Sequence, residues 1–174
     1  MSSASSGLLR VPQLALFALL GSAPTAAAQV SGDADLKAIS SYTLTVPKYK
    51  QYLDALLNMA NVAAKEPAIS KGLDGLGNKS LAEQVKALDG VPQLRGGITA
   101  AGLTVGDFVL IQGAALQAGM AHAFIKSGAL TPDSAVKQAG VSRANLEFYQ
   151  KNEAEIERLT KEYQAKAPQL SEDE

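Results

Sequence analysis

The sequence predicts an all-α fold, a compact helical bundle, and three observations carry this prediction. A long apolar stretch without proline, about 104–127, has the length and the end signals of one helix. Two other stretches, about 47–65 and 143–166, repeat apolar residues at helical spacing. No stretch alternates apolar and polar residues as a half-buried strand does, so we expect no sheet.

The chain begins with a stretch that has the features of an export signal. Arg10 precedes an apolar run over 11–21, and Ala26–Ala28 supplies the small residues that a signal peptidase accepts. We therefore expect a signal peptide over 1–28, cleaved after Ala28, and a periplasmic or extracellular location. An N-terminal membrane anchor is the alternative, but the apolar run is too short to span a bilayer comfortably.

The remaining chain is predicted to form a single helical domain over 29–167, followed by an acidic tail over 168–174. The sequence is 47% hydrophobic and contains no cysteine, which excludes disulfides, thiol nucleophiles, cysteine-bound metals and covalent haem. The formal charge is −1 and no basic patch stands out, so we expect no nucleic-acid partner.

A cap residue or a proline marks the predicted start of each helix that precedes the long apolar stretch. Thr45 and Pro47 stand where an N-cap and a first-turn proline belong. Ser80 with Glu83 has the spacing of a capping box. The predicted helices in this part of the chain are about 47–65, 67–73, 81–88 and 92–101.

The central helix is predicted over about 104–127. Thr104 and Asp107 have capping spacing at its start, and Gly128 can close its last turn. Its few polar side chains point in different directions, so nearly every side is apolar; one side carries Leu116, Met120 and Phe124. A helix of this kind belongs in the middle of a bundle, covered by its neighbours.

The last long helix, about 143–166, follows the cap residue Ser142 and ends before Pro168. Asn152 interrupts its apolar stripe, and a buried asparagine needs hydrogen-bond partners. Residues of suitable type on the central helix are Gln112, Gln117 and His122. Such polar residues either fix the register of two helices or form a polar spot in a ligand cavity.

Four residues are the resulting candidates for ligand binding: His122, Asn152, Gln112 and Gln117. His122 is the sole histidine; it is either a metal ligand, haem ligand or proton carrier, or a packed side chain hydrogen-bonded to a neighbour. We predict no metal site and no catalytic residues, because no serine elbow, paired carboxylates or histidine cluster can be identified.

The segments 101–108 and 141–146 resemble segments of small signal-peptide-bearing all-α bacterial proteins that carry no assigned function. This resemblance implies a helical fold and an exported location. It supplies no catalytic residue.

We therefore expect an exported, non-enzymatic interaction or structural module, such as an extrinsic subunit or adaptor of a cell-envelope assembly. Its partners would be envelope proteins, with no cofactor and no membrane span after signal cleavage. The alternative is a carrier of a small apolar ligand, or of a non-covalent haem held by His122 and Met59 between facing helices. A hydrolase or lyase that uses carboxylates or His122 is the third hypothesis.

Overall fold

A computed structural model describes residues 32–73 and 75–168, and this part of the chain folds into α-helices without a strand. The all-α prediction is thereby confirmed. The predicted signal peptide over 1–28 and residues 169–174 of the predicted tail lie outside the described residues. The helices are α1 (Asp33–Ser41), α2 (Val46–Lys65), α3 (Pro67–Gly72), α4 (Leu81–Asp89), α5 (Pro92–Ala100), α6 (Val105–Lys126), α7 (Pro132–Gln138) and α8 (Arg143–Lys166).

The helix starts follow the local signals of the sequence. In five helices the N-cap hydroxyl accepts a hydrogen bond from the backbone N–H three residues later; these caps are Thr45, Ser80, Thr104, Thr131 and Ser142. At α4 both halves of the capping box between Ser80 and Glu83 are formed. Each cap contributes about 1 kcal/mol, which is enough to fix where a helix begins.

The apolar helix α6 takes the central position that its composition predicts. It packs against α1, α2, α4, α5, α7 and α8. Ile111 and Ala118 on α6 have no exposed surface, and Phe108 and Val109 are almost as deeply buried. At about 100° per residue these side chains point in different directions, so the core encloses α6 on more than one side.

Helix α1 covers the outer side of α6 along its first half. The Tyr42 hydroxyl, just past the end of α1, donates to Asp107 Oδ1 over 3.4 Å. A Cβ atom at Gly113 would lie 2.8 Å from Ile39 Cδ1, so the two helices approach closely where α6 has no side chain. These two contacts show that α1 runs antiparallel to α6.

An aromatic cluster joins α2, α6 and α8. The ring centroids of Tyr52 and Phe108 lie 5.3 Å apart, and those of Tyr49 and Phe148 lie 6.4 Å apart. Burial raises the pKa of Tyr49 and Tyr52 above the ordinary value, and it raises the pKa of Tyr163 to about 12. These phenols are therefore neutral at physiological pH and serve as core side chains.

The second half of α6 is less enclosed than the sequence suggests. Met120 is 46% exposed and Phe124 is 50% exposed. The reason is length, because α1 has 9 residues, about 14 Å, whereas α6 has 22, about 33 Å. By length and composition alone α6 could cross a bilayer, since an 18-residue window has mean hydropathy 1.5, with 44% of that window buried.

Candidate functional site

His122 lies on the side of α6 that faces α8, and its residue surface is 8% exposed. Its ring centroid is 6.4 Å from that of Tyr149. Its Nε2 atom is 3.5 Å from Glu153 Oε2, too far for a well-formed hydrogen bond. Both ring nitrogens are buried without a hydrogen-bond partner in the described part of the chain.

Glu153 is instead engaged by Lys126, whose ammonium donates a hydrogen bond to Oε1. This hydrogen bond holds the pKa of Glu153 below its ordinary value and raises the pKa of Lys126. The carboxylate therefore stays ionised at neutral pH. The resulting ion pair bridges α6 and α8 beside the buried imidazole.

Asn152 lies at a kink in α8. Its backbone, with φ −115° and ψ 18°, departs from helical geometry, and its Nδ2 donates to the carbonyl of Phe148 over 2.8 Å. The side chain is half-buried, as are those of Gln112 and Gln117 on α6. Within residues 32–73 and 75–168, no hydrogen bond joins Asn152 to either glutamine or to His122. Among the described residues, the four candidates therefore form no shared hydrogen-bond network.

Asn145 is the most deeply buried polar side chain described, at 1% exposure. Its Oδ1 accepts from the backbone N–H of Leu44 over 2.9 Å, and its Nδ2 donates to the carbonyl of Tyr42 over 2.7 Å. Asn145 therefore fastens the start of α8 to the α1–α2 connection. Asn145 stands in the first turn of α8, and no pattern in the sequence indicates partners this far away along the chain.

The apolar strip is the name we give to Leu116, Met120, Ala123 and Phe124 of α6. These residues are four, three and one positions apart, so they share one side of the helix. Leu116 is half-buried and the other three are exposed. The sequence placed three of the four on one side, but it offered no sign that the covering helix would be too short.

Metal chemistry has no evident site in the described residues, where no group of three or more histidine, aspartate or glutamate side chains could hold an ion. A surface depression beside α4 is open to solvent and contains none of the candidate residues. Its lining residues are Lys79, Glu83, Lys86, Ala87, Gly90 and Val91. The candidate functional surface is therefore the exposed apolar strip together with the adjoining cluster of His122, Glu153 and Lys126.

Comparison of the chain with protein-family models, with curated proteins and with solved structures finds no significant match.

Proposed function

We propose that this protein is an exported, non-enzymatic interaction module that binds a helical segment of a cell-envelope protein on its apolar strip. The observation that carries the proposal is the exposure of Met120 and Phe124, one turn apart on the same side of α6. Large apolar side chains that lie next to one another at the surface are typical of contact sites.

The spacing of the strip favours a helix as the bound element. From Leu116 to Phe124 it extends over about 12 Å, close to two turns of a partner helix. Apolar residues at intervals of three and four are how one helix presents a ridge to another. The side chain of Ala123 is small, so a partner side chain has room beside Phe124.

The border of the strip favours an apolar partner over a charged one. Lys126 lies one turn beyond Ala123, and its charge is already paired with Glu153. A strongly acidic or basic partner would have to compete with this pair. The proposed partner therefore carries an apolar helix face with polar residues at its edges.

Export is supported by the sequence of residues 1–28, and a non-enzymatic role by the scarcity of catalytic residue types. The chain has one histidine and no cysteine. We expect N-terminal sequencing of the protein isolated from its native cells to begin at Gln29. Recovery of chains that begin at Met1 in the cytoplasm would contradict export.

Photo-crosslinking in intact native cells tests the docking role. A benzophenone amino acid at position 124 replaces one aromatic side chain by another, and the same group at the exposed Lys161 of α8 is the control. We expect one defined adduct from position 124 and none from 161. Met120→Asp, which places a charge in the strip, should abolish that adduct while the fold persists.

Two results would contradict the proposal. One is equal crosslinking from positions 124 and 161, since this would indicate random collisions. The other is an adduct from position 124 that survives Met120→Asp, because binding would then not depend on the apolar character of the strip.

A further inference from the structure

We infer that Met120 is an oxidation site at which peroxides convert the thioether to a sulfoxide, and that this modification turns the apolar strip polar. The inference rests on a contrast between two methionines. Met120 is 46% exposed on α6, whereas Met59 is 6% exposed inside α2. It does not depend on the docking role proposed above.

The reaction requires only access of the oxidant to sulfur. A lone pair of the Met120 sulfur attacks one oxygen of hydrogen peroxide, the O–O bond breaks, and a sulfur–oxygen bond forms. The departing hydroxide takes up the proton from the transferred oxygen and leaves as water. The thioether is oxidised by two electrons, and the peroxide is reduced by two.

The effect of oxidising Met120 follows from its position in the middle of the apolar strip. Met120 stands between Leu116 and Phe124, one turn from each. The sulfoxide is polar and accepts hydrogen bonds, so water would be held at the middle of a surface that is otherwise apolar. Oxidation at Met59 would instead require the core to open first.

Peptide mass spectrometry of the full chain treated with hydrogen peroxide tests the site. Trypsin separates the methionines, because Met59 falls in the peptide 51–65, Met120 in 96–126 and Met1 in 1–10. We expect a gain of one oxygen on 96–126 at a rate at least about tenfold that on 51–65, because a buried methionine reacts only through opening. Equal rates for the two peptides would overturn the inference.

Retention on a phenyl column in high salt tests the change in polarity and uses the resin itself as the probe. Oxidised wild-type protein should elute earlier than untreated protein. Met120→Leu, which preserves size and apolar character, should elute at the same position before and after peroxide. Unchanged retention of wild type with Met120 fully oxidised would overturn the second part of the inference, and so would an equal shift in the leucine variant.

Discussion

The two halves of α6 are covered differently, and buried polar residues behave differently beside them. Along the first half, α1 lies over Gly113, and Asn145 of α8 bonds to backbone groups of the α1–α2 connection. Along the second half, Met120 is exposed, and the buried His122 has no partner for either ring nitrogen in the described residues. At the first half the α1–α2 connection offers backbone groups to Asn145, whereas at the second half the Glu153 carboxylate beside His122 accepts its hydrogen bond from Lys126.

The largest effect is expected from Asn145→Ala at the covered half. The variant leaves the N–H of Leu44 and the carbonyl of Tyr42 without their hydrogen-bond partner. We therefore expect the free energy of unfolding to fall by about 2–4 kcal/mol. Urea denaturation followed by circular dichroism measures this. Asn152→Ala is the matched control, because among the described residues the Asn152 side chain bonds only to Phe148 of its own helix; its change should stay within about 1 kcal/mol.

Gly113→Ala tests how closely α1 covers α6. The new Cβ would lie 2.8 Å from Ile39 Cδ1, whereas at Gly96 of α5 no side chain or other segment of the described residues lies within 4 Å. Both substitutions favour a helix, so their difference isolates the overlap, which should cost about 1–3 kcal/mol in thermal or urea unfolding. Ile39→Val removes Cδ1 but keeps a γ-carbon that would lie 2.9 Å from the new Cβ, so it should recover only a small part of this loss. Equal stability of the Gly113 and Gly96 variants would contradict the close approach of α1.

His122→Leu tests the uncovered half. The variant removes two buried nitrogens that have no hydrogen-bond partner among residues 32–73 and 75–168, so the free energy of unfolding should stay equal or rise by up to about 1 kcal/mol. His122→Ala also removes volume and should lower stability. A loss of about 2 kcal/mol or more in the leucine variant would show that the imidazole makes a favourable contact and would weaken the contrast with Asn145.

The smallest effect is expected from Glu153→Gln. The folded-state pKa of Glu153 is lowered, chiefly by the Lys126 hydrogen bond, so the carboxylate contributes stability above its unfolded pKa and loses it as pH falls through the folded pKa. The side chain is 33% exposed, so the difference from wild type at pH 7 should be below about 1 kcal/mol.

Denaturation at a series of pH values checks the sign of this effect. The two stability curves should run parallel near neutral pH and converge below about pH 4. The difference should also shrink in about 1 M sodium chloride, because salt screens a pair this exposed. A difference that grows as the solution is acidified would contradict the assignment.

Local rules explain which parts of the fold could be predicted. Caps at Ser80, Thr104 and Ser142 act within a single turn, so the sequence alone places the starts of α4, α6 and α8. The composition of α6 likewise predicts its central place, because an apolar helix needs neighbours on most sides.

The candidate site was harder to predict because it depends on tertiary distances. The Asn152 amide donates a hydrogen bond to the carbonyl of Phe148 in the same helix. The four-residue spacing allows this bond, but the sequence does not show whether it forms in preference to a bond with another helix. Asn145 finds partners about a hundred positions away, at Tyr42 and Leu44. The exposure of Met120 depends on where α1 begins, because the N-terminal end of α1 points toward the second half of α6. No residue of α6 encodes that position.

The kink at Asn152 has a consequence for how the molecule opens. In a regular helix each hydrogen-bonded turn is stabilised by its neighbour, whereas a break in the backbone geometry weakens that coupling. We expect opening that begins near Lys166 to stop at Asn152. The turn that holds Asn145 would then keep its slow amide exchange while the far end of α8 exchanges quickly.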